Sequence, residues 1–195
     1  MELRCEPRSA RRTSLSPVER RCPSLGVSRQ TIIFAPNANV RTDRHGGPIE
    51  NRARFAIEVA SAISDEIGPE RTAIRISPGA LLGGVVEGEE GPDLYRYLVG
   101  ELDKLGLAYL HMMHFGDGTL LRDILRTWSK PLMLLRSGRT LETLGDDVEA
   151  GRADLVSIAR WLLANPDFTE RFRLGAPLNE PNPATRSFRR RSSRS

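Results

Sequence analysis

The chain has 195 residues, 39% hydrophobic and 28% charged, with two cysteines and a formal net charge of +4. No apolar run approaches the roughly 18 residues of a membrane-spanning helix, and no apolar secretory core opens the chain, so a cytoplasmic location without membrane association is expected. Cys5 and Cys22 cannot build a disulfide framework, and neither has a His or Cys at ligand spacing, so no metal site is expected.

The charge is unevenly placed. Residues 1–33 carry seven arginines against three glutamates, and residues 185–195 carry five arginines and no acid, which leaves 34–184 at a net −5. An acidic body with basic ends is not the footprint of a nucleic-acid-binding domain. Residues 1–33 are rich in Arg, Ser and Pro with no apolar period, too little to offset the entropy of ordering, and are expected to be disordered with no strand of their own. The Arg-rich end, 185–195, is read the same way. The domain is therefore expected over 34–184.

Within it, helices and short apolar runs alternate. Pro48 opens a first helix with Ile49, Ala53, Ala56, Ala60, Ile63 and Ile67 at helical spacing, stopped by Gly68-Pro69. A strand follows over Thr72–Ser77. Pro92-Asp93 opens a second helix with Leu94, Leu98, Leu102 and Leu105 on one face, closed by Gly106. The run Leu107–Met112 reads as a second strand and Leu120–Trp128 as a third helix. Pro131–Arg136 reads as a third strand, Leu141–Ala150 as a fourth helix and Asp154–Ile158 as a fourth strand. A last helical stretch from Trp161 to Leu174 is expected to break at Pro166. Strands alternating with helices imply βαβ units and a parallel sheet. Four such units suit either a small open sheet or half of an eight-unit barrel, since a whole barrel takes about 250 residues.

The run Pro36-Asn-Ala-Asn-Val-Arg-Thr-Asp-Arg-His-Gly-Gly-Pro-Ile-Glu-Asn-Arg-Ala-Arg-Phe55 decides between them. It resembles the signature of the Old Yellow Enzyme family of FMN-dependent ene reductases. Arg75-Ile-Ser-Pro78, Gly106-Leu-Ala-Tyr-Leu-His111, Ala164-Asn-Pro-Asp167 and Arg173-Leu-Gly-Ala-Pro-Leu-Asn179 follow in the family's order. The resemblance runs from about Phe34 to Thr185 and enters neither basic end. It implies an α/β fold, a partial (β/α)8 TIM barrel corresponding to strands five to eight, and a truncated enzyme weakly active or inactive alone. The basic ends are then expected to be out-of-frame or fused sequence.

The resemblance also implies a cofactor, FMN, and a reductant, NAD(P)H, with a small enone-type molecule as substrate. Arg75, a charge inside an apolar strand, would meet the flavin ring near N1 and O2; its competing reading is a structural ion pair. Ser137, Gly138, Ala159 and Arg160 would hold the phosphate, with Ser137 and Ala159 standing where the family usually has glycine. Arg41, Asp43, Arg44, Glu50, Asn51, Arg52 and Arg54 read as charge pairs fixing a loop to a helix start. His111 and His114 would face opposite sides of a strand, which defeats chelation. No catalytic residue is assigned: the proton-donating Tyr is missing, and Val27–Phe34, where the carbonyl-binding His/Asn pair would stand, has no His, Asn or Tyr. Two open edges imply a homodimer or a complementing N-terminal half-barrel. The competing function is a non-catalytic remnant whose basic tails bind nucleic acid or acidic surfaces through phosphate attraction alone.

Overall fold

A computed structural model describes residues 24–25, 30–80, 84–115, 118–136, 140–158 and 160–182. The tail 185–195 and most of 1–33 lie outside the described residues. Five parallel strands, β1 (Ser24–Leu25), β2 (Ala73–Ile76), β3 (Tyr109–His114), β4 (Leu132–Arg136) and β5 (Leu155–Val156), pair in strictly sequential order. Each junction is parallel, and β2, β3 and β4 register Arg75 with His111 and His111 with Met133. Sequential order has no point where the winding reverses. Right-handed crossovers then put every connecting helix on one face, which is an arc of a barrel rather than a doubly wound sheet.

That face is built by α2 (Ile49–Ile67), α3 (Gly91–Lys104) and α4 (Thr119–Thr127), with α2 packed on α3 and α3 on α4. Ala53, Ala56 and Ala60 give α2 a shallow stripe. Leu94, Leu98 and Leu102 of α3, and Leu121 and Ile124 of α4, meet Ile74, Ile76, Leu110, Met112, Leu132 and Leu134 from the strands. Burying each Leu or Ile contributes about 2 kcal/mol. Trp128 closes the end of α4, almost fully buried, and its Nε1–H donates to the Pro131 carbonyl at 3.0 Å. Gly68 ends α2 at φ 94°, where any side chain would be strained and a Cβ would strike the Glu70 carboxyl.

Two expectations change. The basic head does supply a fifth strand: β1 pairs Ser24 with Ala73 and Leu25 with Ile74. It also supplies α1 (Gln30–Phe34). Neither needs an apolar period, because groups outside each element hold them: β2 holds β1, while Asn39 Nδ2 donates to the Ile33 carbonyl at 2.8 Å and Arg52 Nη1 to the Phe34 carbonyl at 2.6 Å. The helix expected over 141–150 shrinks to α5 (Asp146–Glu149). The Thr143 hydroxyl accepts from the Thr140 N–H at 3.2 Å, a local bond that competes with helix extension, and Gly145 precedes the helix.

The chain divides into two compact units, one ending at Val156 and the other beginning at Ser157. In the second, α6 (Arg160–Ala164) and α7 (Phe168–Leu174) flank Pro166, the break that the proline required. Asn165, fully buried, donates to the Asn179 carbonyl at 2.9 Å and accepts from its N–H at 2.7 Å. Two residues of separate sequence motifs thus clasp each other.

Candidate flavin-facing site

The loop and helix start that carry the long motif are tied together by their own side chains. Arg41 pairs with Asp43, whose carboxyl the guanidinium and the His45 N–H hold down to about 2. Glu58 accepts from Arg44 at 2.9 Å and meets the His45 Nε2 at 3.1 Å. Asn39 caps both the Ile33 and His45 carbonyls, and Asn51 donates to the Gly46 carbonyl. A Cβ at Gly46 would lie 2.1 Å from the Arg41 carbonyl oxygen, so no larger residue fits the turn. Arg52, 1% exposed, joins the Phe34 carbonyl to Glu90 and thereby α1 to the entry of α3. The dense charge of this motif is structural, as its pairing pattern implied.

The strands sort their side chains by parity. Ile74, Ile76, Leu110, Met112 and His114 enter the helix-covered core or its rim, while Arg75, His111 and Met113 turn to the opposite face. Arg75 therefore points away from the helices, into what would be the barrel interior. Its Nη2 reaches the Met113 sulfur at 3.3 Å, and its Nε is buried without a hydrogen-bond partner. Burial lowers its pKa, and no carboxylate pairs with it among the described residues. The ion-pair reading of Arg75 is thereby set aside. His111, next to it in register, has a buried and unpartnered Nε2; burial and the neighbouring guanidinium push its pKa down to about 4, so the ring is neutral near pH 7. The two histidines do face opposite sides of β3, and no metal-holding group of His, Cys, Asp or Glu occurs among the described residues.

At the end of β4, Arg136 Nε lies 3.0 Å from the buried Asp147 carboxylate, which also accepts from Arg152 at 2.7 Å. This pair anchors the strand just before Ser137-Gly138. Ser137, Gly138 and Ala159 themselves lie outside the described residues. Arg160 opens α6 in the second unit with an exposed side chain. Sequence reading missed three residues of consequence: His111 as a face partner of Arg75, Met113, and Asp147. Strand parity could have found the first two; nothing local marked the third.

The profile of the NADH:flavin oxidoreductase / NADH oxidase family matches residues 33–179. The chain belongs to this family. Among its relatives, 12-oxophytodienoate reductase 2 of Arabidopsis thaliana is 40% identical over 158 residues, 75% of this chain and 41% of that protein. A probable flavin mononucleotide-dependent alkene reductase of Leishmania infantum is 38% identical over 154 residues, covering 76% and 41%. Morphinone reductase, solved in complex with tetrahydroNAD, superposes with a TM-score of 0.73 at 39% identity, over 80% of this chain and 43% of its own. The old yellow enzyme homologue of Zymomonas mobilis gives 0.73 at 31% identity, over 80% and 46%. This family member spans less than half the length of each of these four proteins.

Proposed function

We propose that this chain contributes the C-terminal half-barrel of an FMN-dependent oxidoreductase of the ene-reductase type, using NAD(P)H to reduce an activated alkene. One observation carries the reading: Arg75 presents a guanidinium with an unpartnered Nε–H and no carboxylate partner among the described residues, on the sheet face opposite α2, α3 and α4. A part-buried guanidinium whose Nε–H is shielded from solvent and unpartnered is short of acceptors, and an electron-rich heterocycle edge is the kind of group that supplies them. The residues present fit FMN in this respect. When bound, FMN supplies the hydride-carrying centre. Arg75 would bind its ring near N1 and O2 and stabilise negative charge there. Ser137, Gly138, Ala159 and Arg160 would hold its phosphate, and the Arg136–Asp147 pair would orient the loop bearing Ser137 and Gly138.

The substrate would be a small enone-type molecule. Neither the proton-donating Tyr nor the His/Asn carbonyl clamp is found in this sequence, so both would come from a complementing N-terminal half-barrel. That half, or a second copy of this chain, would also cover the open sheet face and the end strands β1 and β5. No helix among the described residues is long and apolar enough to cross a membrane, in keeping with action in the cytoplasm.

Purification of the chain with added FMN, followed by gel filtration and an absorbance spectrum, tests the reading. Co-elution of flavin with protein and its loss in Arg75→Met supports the proposal. Flavin eluting entirely in the free fraction, with and without a complementing half, would overturn it.

A further inference from the structure

A second site lies on the other side of β3 from His111. The loop between β2 and α3, the end of β3 and the start of α4 enclose a cavity of about 360 Å³. Pro78, Ala80, Val85, Phe115 and Leu120 make its walls apolar, and Glu87 is the one carboxylate among its described lining residues. Beside Glu87 the polar lining carries the Tyr95 hydroxyl and the His114 ring, and no Lys or Arg is among its described residues.

Glu87 is built into this wall rather than hanging over it. Its Oε1 accepts from the Tyr95 hydroxyl at 2.5 Å and its Oε2 from the Gly79 N–H at 2.9 Å. Tyr95 is 1% exposed and cannot move aside. A Cβ at Gly91 would come within 3.2 Å of the Glu87 Cβ, so the glycine at the start of α3 allows the close approach. Each carboxylate oxygen still has a free lone-pair direction, since an ionised carboxyl accepts about four hydrogen bonds. Burial raises the Glu87 pKa, the mark of a carboxylate short of positive charge. Among the described residues it makes no ion pair. By contrast the neighbouring Glu90 has Arg52.

A largely apolar chamber with one oriented carboxylate and no Lys or Arg among its described lining residues selects a ligand with an apolar body and a single cationic head. An apolar molecule with a neutral hydroxyl would fill the space but leave the carboxylate uncompensated. An anion would be repelled. We propose that this cavity is a binding site for a small organic ammonium ion, its head on Glu87 and its apolar body against Phe115 and Leu120. This site stands independently of the flavin reading, because neither Arg75 nor Arg160 is among its described lining residues.

The probes are 2-phenylethylammonium and its neutral counterpart 2-phenylethanol, titrated into the full chain by NMR or calorimetry. The ammonium binds saturably, and at least about tenfold more tightly than the alcohol, as a charge-assisted bond in a partly buried site requires. Glu87→Gln, which preserves the shape and a hydrogen bond to Gly79, weakens ammonium binding about tenfold and leaves the alcohol unchanged. Val86→Trp, at an exposed lining position, weakens both probes by filling the mouth. Circular dichroism confirms that each variant is folded. No saturable binding of the ammonium, equal binding of the two probes, or unchanged affinity in Glu87→Gln would each overturn the assignment, whatever the outcome with FMN.

Discussion

The Arg75 guanidinium and the Met113 thioether meet at 3.3 Å across two neighbouring parallel strands. A thioether is a weak acceptor, and the Arg75 Nε has no hydrogen-bond partner among the described residues. The side chain is thus held by its strand and by packing against Met113, with no carboxylate partner among the described residues. A residue kept at such cost belongs to a site more often than to a scaffold.

Arg75→Met should therefore separate stability from binding. The thioether replaces the guanidinium stem and removes a part-buried charge, so the unfolding free energy stays within about 1 kcal/mol of the parent. FMN affinity, read by quenching of flavin fluorescence, falls at least about tenfold through loss of a charged hydrogen bond. A variant that unfolds more easily while binding FMN as the parent does would assign Arg75 to structure.

His111 gives the chain a pH signature. Its folded pKa of about 4 lies below the ordinary 6.5. The unfolded chain therefore binds a proton that the folded chain refuses across that window. Its contribution to stability is complete above pH 6.5 and is lost as pH falls toward 4. Urea midpoints measured between pH 7 and pH 4 should fall less steeply in His111→Gln than in the parent. Parallel slopes would show that the ring protonates freely in the fold.

Arg52 and Glu90 form one bridge with unequal ends, since the arginine side chain is 1% exposed and the glutamate 67%. Arg52→Ala removes buried packing and orphans the Phe34 carbonyl, costing about 3 kcal/mol. Glu90→Gln keeps a polar partner at the surface and costs about 1 kcal/mol or less. Chemical denaturation of the two variants reads the difference, and similar losses in both would mean that the bridge, rather than burial of Arg52, holds the helices.

Asp147 neutralises two guanidinium groups, Arg136 at 3.0 Å and Arg152 at 2.7 Å. Asp147→Ala leaves the half-buried Arg136 uncompensated and should cost about 3 kcal/mol. Because Arg136 leads directly into Ser137-Gly138, FMN affinity should fall with it. Asp147→Asn, which can still accept hydrogen bonds, should recover part of both losses. Full flavin affinity in a destabilised Asp147→Ala chain would confine the residue to a structural role.

Much of the fold could be read from local pattern because local energetics produce it. The apolar period of Ile49–Ile67, the stop at Gly68-Pro69 and the break at Pro166 all act within a few residues, and the helices end where those signals place them. The parity that sends His111 and His114 to opposite faces is likewise a property of any extended strand. The elements that escaped the pattern are those held from a distance: β1 by the edge of β2, and α1 by Asn39 and Arg52. The helix expected from Leu141 was lost to a side-chain bond between Thr140 and Thr143, a competition that composition does not reveal.

The amino-acid order by itself determined the family, the alternation of strand and helix, and the presence of a charge at Arg75 within an apolar run. Only the tertiary structure decided that the strands follow one another without reversal, which makes the sheet an arc, and that Arg75 turns to the side opposite α2, α3 and α4. It alone showed that Glu87 stands in a largely apolar chamber with no Lys or Arg among its described lining residues. The reason is physical: periodicity is written in neighbours along the chain, whereas solvation and compensation of a charge depend on groups brought together from far apart in sequence.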